Sequence, residues 1–316
     1  MKGLVIKTTG SSYIVRTDDG QDIECRIKGN FRIRGIRSTN PVAVGDYVEV
    51  QTLADGTNWI TEIEDRRNYI IRKSTNLSKE SHILAANIDQ VVLLVTLRHP
   101  YTNLTFIDRF LATCEAYRVP AILAFNKTDL LTEEEHMELF LDVELYSGIG
   151  YRTFSISARQ MAETPADQWT HSHAALRKLL AGKTTLLSGN SGVGKSTLLN
   201  ALFGREMTRT GEISDAHDTG KHTTTFSEMY FLPDGGAVID TPGIKGFGTI
   251  DFKREEVGHY FPEIFRASRE CRYSDCTHTG EPGCAVQDKI ITGDIAVSRY
   301  ESYLSLLGDC TESKYR

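Results

Sequence analysis

The chain has no apolar run approaching the roughly 18 residues that a membrane-spanning helix needs; stretches such as Val91–Val95 fall far short. Its start, Met1-Lys2-Gly3-Leu4, lacks the long apolar segment of a secretion signal. No segment repeats and none is of low complexity. An excess of positive charge is also missing. The formal net charge of −6 argues against a wholly basic nucleic-acid coat. Cysteines are few, six in 316 residues, and four metal-type ligands crowd into residues 271–284, which fits a reducing compartment. These absences point to a soluble, cytoplasmic protein that enters no membrane, and we take it as a monomer. With 40% hydrophobic and 25% charged residues it sits in the ordinary globular range, and its length suits two or three domains.

Charge is patterned locally. Arg26, Lys28, Arg32, Arg34 and Arg37 follow one another with no acidic residue among them, and Arg66, Arg67, Arg72 and Lys73 form a second cluster. A solvated charged face explains such clusters as well as a nucleic-acid contact does.

The first 68 residues read as short strands separated by turns: Leu4–Thr8, Tyr13–Arg16, Gln21–Ile27, Tyr47–Gln51 and Trp59–Ile63. Five strands in so short a span suggest a small barrel of the OB type. From residue 69 the pattern changes. Val91–Thr96 is a continuous apolar strand of the kind buried on both faces. A helix near Leu104–Tyr117 and a strand at Ala121–Phe125 follow, and a capping box at Thr132–Glu135 opens the next helix. A strand at Arg152–Ile156, a helix near Ala174–Leu180 and a strand at Thr184–Ser188 continue the alternation. That order implies a doubly wound, mostly parallel sheet. Gly204–His222 reads as a mobile polar loop. After Gly246 short helices surround a cysteine cluster. The expected units are therefore an OB-fold-like barrel (1–68), an α/β nucleotide-binding domain (69–246) and a mainly helical metal domain (247–316).

Gly189-Asn190-Ser191-Gly192-Val193-Gly194-Lys195-Ser196 matches the phosphate-binding pattern G-x4-G-K-[ST], between an apolar strand and a helix opening at Thr197. Its backbone N–H groups and the helix N-terminus suit phosphate oxygens. Lys195 can neutralise the β- and γ-phosphates, and Ser196 can ligate Mg²⁺. Asn126-Lys127-Thr128-Asp129 ends a strand, where ligands of open α/β sheets bind. A carboxylate at Asp129 can accept from both N1–H and the 2-amino group of guanine and repels the N1 lone pair of adenine. The Lys127 stem can lie over the base, and Asn126 can tie the loop to its neighbours. Asp240-Thr241-Pro242-Gly243 follows another apolar strand; Asp240 can hold Mg²⁺ and the Gly243 amide can sense the γ-phosphate. Ser157-Ala158 can offer a backbone amide to guanine O6. The base-reading tetrad precedes the phosphate loop by about 60 residues, the reverse of ordinary GTPases, and no second N-K-x-D follows residue 243. A circularly permuted GTPase accounts for both facts.

Cys271-x4-Cys276-x-His278-x5-Cys284 supplies three thiols and one imidazole, a set suited to one structural zinc. Cys25, Cys114 and Cys310 read as plain core or surface residues.

The permuted order, the loop Ser191–Ser196, the segment Gly220-Lys221-His222-Thr223-Thr224-Thr225 and the cysteine–histidine spacing together resemble the RsgA (YjeQ) family over nearly the whole chain. That resemblance implies an N-terminal OB-fold, a central permuted GTPase and a C-terminal zinc domain. It also implies a late role in maturing the small ribosomal subunit, which would stimulate GTP hydrolysis, with Arg26–Arg37 as an rRNA contact. The family follows Ser-Ala with a Thr-Gly-x-Gly-like turn, whereas Arg159-Gln160-Met161-Ala162-Glu163 stands here.

GTP with Mg²⁺ is thus expected between Asn126–Asp129 and Gly189–Thr197. A threonine of Thr223–Thr225, assigned as Thr225, would join Ser196 and Asp240 at the metal. Ile244 occupies the place where Ras-like enzymes carry a water-orienting glutamine, so turnover of the isolated protein should be slow. His222 is the in-chain candidate for the missing catalytic group. Two other readings stand beside this one: a GTP-controlled RNA-binding switch, and a GTPase with a non-ribosomal task such as metal handling or tRNA modification.

Overall fold

A computed structural model describes residues 1–9, 12–27, 41–73, 81–205, 227–241 and 252–312. Five strands form the N-terminal barrel: β1 (Lys2–Thr8), β2 (Tyr13–Thr17), β3 (Asp22–Ile27), β4 (Tyr47–Thr52) and β5 (Asn58–Ile63). They pair in the order β1-β2-β3-β5-β4, and β4 returns to β1, so the sheet closes. The expected OB-type barrel is present. Alternation sets its inside: Tyr13 and Val15, and Val48 and Val50, point into a core with Val5, Cys25 and Ile60. Asp46 is fully buried beneath it and held by a bidentate pair with Arg66, both contacts 2.6 Å. Arg67 binds Asp89 and the carbonyl of Asn87. The first two members of the second basic cluster therefore serve the fold.

An antiparallel hairpin, β6 (Tyr69–Lys73) with β7 (Ser81–Ala86), follows the barrel. Gly45 (φ +94°) abuts it, and a Cβ there would strike the carbonyl of Ala86.

The central sheet runs β10-β9-β8-β11-β13-β12, built from β8 (Gln90–Val95), β9 (Ala121–Phe125), β10 (Arg152–Ser155), β11 (Thr184–Ser188), β12 (Glu228–Phe231) and β13 (Ala237–Asp240). All neighbours are parallel except β12 with β13. The chain enters at β8, walks outward through β9 to β10, then returns to β11 in the middle. Two apolar layers cover the sheet, and successive strand residues alternate between them. Val91, Leu93, Val95, Leu123 and Leu186 pack with α1 (Leu104–Ala116) on one face. Val92, Leu94, Ile122, Ala124 and Leu187 pack with α4 (His171–Leu180) and α5 (Lys195–Phe203) on the other. That double coverage is why β8 reads as an unbroken apolar run. The edge strand β12 meets β1 at Lys7 and Glu228, whose side chains pair at 2.9 Å, so barrel and sheet are continuous.

Two further helices border the sheet, α2 (Glu133–Ile149) and the short α3 (Ala158–Glu163). The Thr132–Glu135 capping box that opens α2 is formed. The C-terminal helices are α6 (Pro262–Ser268), α7 (Ala285–Ile291) and α8 (Val297–Glu312). They share a core with Ala112 of α1. Arg299 of α8, 1% exposed, reaches Asp108 of α1 and Glu263 of α6, each at 2.7 Å. Asp108 also accepts from the hydroxyl of Tyr146 on α2. Losing one partner of so buried a set would leave a charge stranded, which fixes the C-terminal unit on α1.

Candidate functional site

The chain reverses its outward walk between β8 and β11, and a crevice opens there at the carboxyl ends of the strands. β11 delivers Gly189–Gly194 to this end, and α5 begins at Lys195. Two of the loop's glycines are required by close approach. A Cβ at Gly189 (φ +148°) would strike the carbonyl of Leu94 on β8, and one at Gly194 (φ +99°) would fall on the Asn126 amide nitrogen. Lys195 Nζ donates to the carbonyls of Gly189 (2.7 Å) and Asn190 (2.9 Å), which folds its amine back over the loop. Burial lowers its pKa, and the Asp240 carboxylate acts against that. Asp240, at the end of β13, is pushed up by burial and drawn down by Lys195. One of its oxygens is buried with no hydrogen-bond partner. A buried acceptor in that state suits a bound cation.

β9 delivers Asn126–Asp129 beside the phosphate loop. Asn126 is 4% exposed and joins three segments. Its amide donates to the carbonyl of Val193 (2.7 Å), and its oxygen accepts from the backbone N–H of Ala158 (2.8 Å). Lys127 is in the left-handed region (φ +64°), and its amine donates to the carbonyl of His99. Thr128 caps the carbonyl of Ile156 through its hydroxyl at 3.1 Å. Asp129 is exposed, and its charge reaches Arg159.

Ser157 and Ala158 border the same crevice, but in this structure both amides have partners within the protein. The Ser157 N–H donates to His173 Nε2 at 3.1 Å, and the Ala158 N–H is the one held by Asn126. The amide expected to face guanine O6 therefore supports the tetrad here. Sequence reasoning missed His173, a buried imidazole that burial keeps below its ordinary pKa and so free to accept. The Thr170 cap, which accepts from the His173 N–H, was the available signal that α4 begins early enough to include it. Also missed was the turn after β8: Pro100 lies 3.6 Å from where a Gly192 Cβ would stand, and His99 anchors Lys127.

Thr241 is buried, with its hydroxyl 3.4 Å from the carbonyl of Leu187. His222, Thr223–Thr225, Gly243, Ile244 and the basic residues 28–37 lie outside the described residues. Arg26, on β3, is exposed.

Away from this crevice, one ligand atom from each of Cys271, Cys276, His278 and Cys284 falls within a 4.8 Å sphere of separations. His278 Nδ1 is 3.7 Å from Cys271 Sγ and 3.4 Å from Cys284 Sγ, and those sulfurs are 4.0 Å apart. The loop is braced from behind. Glu281 accepts from the N–H groups of Thr277 and Thr279, while Tyr300 and Gln287 donate to the carbonyl of His278. Burial pushes the Cys276 thiol up to about 12 and lowers His278. Such a cluster can hold a metal ion.

A chain that joins a closed barrel, a sheet with N-K-x-D ahead of its G-x4-G-K-S loop, and a cysteine–histidine cluster has known counterparts. The RsgA GTPase family matches residues 63–250, and the RsgA N-terminal domain matches residues 2–60. The chain belongs to the RsgA GTPase family. Proteins named "Small ribosomal subunit biogenesis GTPase RsgA" from Phocaeicola vulgatus and Bacteroides fragilis are each 58% identical to it, over all of this chain and 99% of theirs. The crystal structure of YjeQ from Thermotoga maritima superposes with a TM-score of 0.74 at 30% identity, covering 98% of both chains. The structure of YloQ, described as a circularly permuted GTPase, gives 0.70 at 27% identity, covering all of this chain and 96% of that one. As an RsgA-family GTPase the chain is a hydrolase, and the order of its motifs around the sheet is the permuted one. Among the described residues no helix is long and apolar enough to cross a membrane.

Proposed function

We propose that this chain hydrolyses GTP to GDP and phosphate as a cytoplasmic monomer that acts on the small ribosomal subunit late in its maturation. The observation that carries the reading is Asn126, which holds a phosphate loop and a guanine-reading loop together at one sheet end. The ribosomal task follows the printed name of full-length relatives at 58% identity. We place the barrel at 1–68, the GTPase at 69–246 and the zinc-binding unit at 247–316.

Gly189, Asn190, Ser191, Gly192, Val193, Gly194 and Thr197 surround the phosphates through the loop and the start of α5, and Lys195 neutralises β- and γ-oxygens. Asp129 reads guanine, the Lys127 stem lies against it, and Thr128, Ser157 and Ala158 hold the rim. Ser196, Asp240 and Thr225 are the ligands for Mg²⁺, whose charge would offset that building on the phosphates; the unpartnered Asp240 oxygen supports this. Gly243 reports the γ-phosphate, and His222 orients water where Ile244 cannot. Cys271, Cys276, His278 and Cys284 hold one zinc. Tetrahedral bonds of about 2.3 Å to sulfur and 2.0–2.1 Å to nitrogen set ligand atoms about 3.5–3.8 Å apart. The three separations among Cys271, His278 and Cys284, 3.4–4.0 Å, lie near that spacing, and the full set of four lies within 4.8 Å.

The test is GTP turnover alone and with purified small ribosomal subunits. Slow basal turnover should rise steeply, since an ordered loop and a positioned catalytic group are worth up to ~10³–10⁵ in other GTPases. His222→Ala should lose most of that rise with GTP affinity within a few-fold. No stimulation of the wild type overturns the ribosomal reading; equal stimulation of the variant overturns only the role of His222.

A further inference from the structure

The outer face of α2 is apolar where it meets solvent. Met137, Phe140 and Leu141 are 62%, 55% and 62% exposed, and Leu130, just before the helix, is 48% exposed. Spacings of three and four residues place Met137, Phe140 and Leu141 side by side on one face. The opposite face already contributes Leu139, Val143, Tyr146 and Ile149 to the core. A helix apolar on both sides is normally covered on both. Scattered exposed apolar residues need no explanation, but a contiguous set of large ones marks an interaction site.

Charge selects the occupant. Residues 133–149 carry six acidic side chains and no lysine or arginine. Arg98 is bound there to Glu135 and Glu138. Glu133, Glu134 and Glu144 are exposed, with no ion-pair partner among the described residues. An apolar stripe rimmed by free carboxylates repels RNA phosphates and anionic lipid alike. It repels its own copy in a second chain as well. We propose that this face of α2 docks a cationic protein segment that presents apolar side chains to Met137, Phe140 and Leu141 and lysines or arginines to the rim. The inference rests on the ribosomal reading for its source: the segment belongs to a protein of the small subunit.

The experiment uses the full chain with intact small subunits and a non-hydrolysable GTP analogue. Wild type is first co-sedimented; failure to pellet overturns the ribosomal reading and this one together. A photo-crosslinking phenylalanine analogue introduced at Met137 should then give an adduct that survives ribonuclease, is destroyed by protease, and contains a lysine- and arginine-rich peptide. Adducts to rRNA only, to a second copy of this chain, or none at all overturn the docking proposal and leave the ribosomal reading standing. A second variant, Phe140→Glu with Leu141→Glu, changes only exposed side chains and should keep basal GTP turnover. It should weaken subunit binding by about tenfold or more, the scale for loss of an anchoring contact. Binding equal to wild type overturns the proposal.

Discussion

Replacing Asn126 by Ala deletes the donor to the Val193 carbonyl and the acceptor for the Ala158 N–H at a position only 4% exposed. Both backbone groups are left without a partner unless water enters. A buried polar group stranded in this way costs about 1–3 kcal/mol. Both groups lie in loops at the mouth of a crevice, so partial hydration places the sum near the low end, about 2–4 kcal/mol. The cost should divide between unfolding free energy, where the loops stay ordered without ligand, and nucleotide affinity, where ligand must order them. Urea melts and titration of a fluorescent GDP analogue measure the two parts. Gly194→Ala supplies the control, because its Cβ would occupy the place of the Asn126 amide and because φ is +99° there. If that overlap is the cause, the double variant should lose less than the two single variants added together, by about 1 kcal/mol, since truncating the Asn126 side chain vacates the space. Additive effects, or an Asn126→Ala protein with wild-type stability and affinity, would refute the idea that this side chain joins the loops.

Asp129→Asn should weaken GTP and favour XTP, by ~2–4 kcal/mol in the ratio, because paired groups at N1 and C2 are left unmatched; unchanged GTP affinity would remove Asp129 as the base reader. Elemental analysis should find about one zinc per chain, and Cys276→Ser should destabilise the C-terminal unit while GTP binding persists; protein prepared without chelator that carries no zinc would end that assignment. Asp142, on α2, is pushed up to about 6 by burial, with Glu138 and Asp108 adding to the rise. A carboxyl raised by folding is a liability above pH 6 that disappears as pH falls toward its unfolded value near 4. After a discount for partial exposure, Asp142→Asn should therefore stabilise the protein at pH 7.5 by about 1 kcal/mol, and far less at pH 4.5. Thermal melts of both proteins across that range test the sign; a gain that grows on acidification would contradict it.

The G-x4-G-K-S loop, the Asn126–Asp129 tetrad and the cysteine–histidine cluster were legible in sequence because each is compressed into a few contiguous residues, with glycines or ligand-type side chains at set spacings. The doubly wound sheet was legible from unbroken apolar strands alternating with helices, and the barrel from five short alternating ones. The inverted motif order was equally plain, since order along the chain is a property of sequence itself. Tertiary structure alone decided what those motifs lean on. Nothing local marks Arg66 as the partner of Asp46, His173 as the acceptor behind Ser157, or Arg299 as the cation shared by Asp108 and Glu263. The partners are separated by 20, 16, 191 and 36 residues. Their pairing follows from which surfaces the sheet brings together. The same holds for the Ala158 amide, a free donor in any linear reading until Asn126 lies 2.8 Å away. It holds for α2 as well: packing of its other face against the sheet leaves Met137, Phe140 and Leu141 in water.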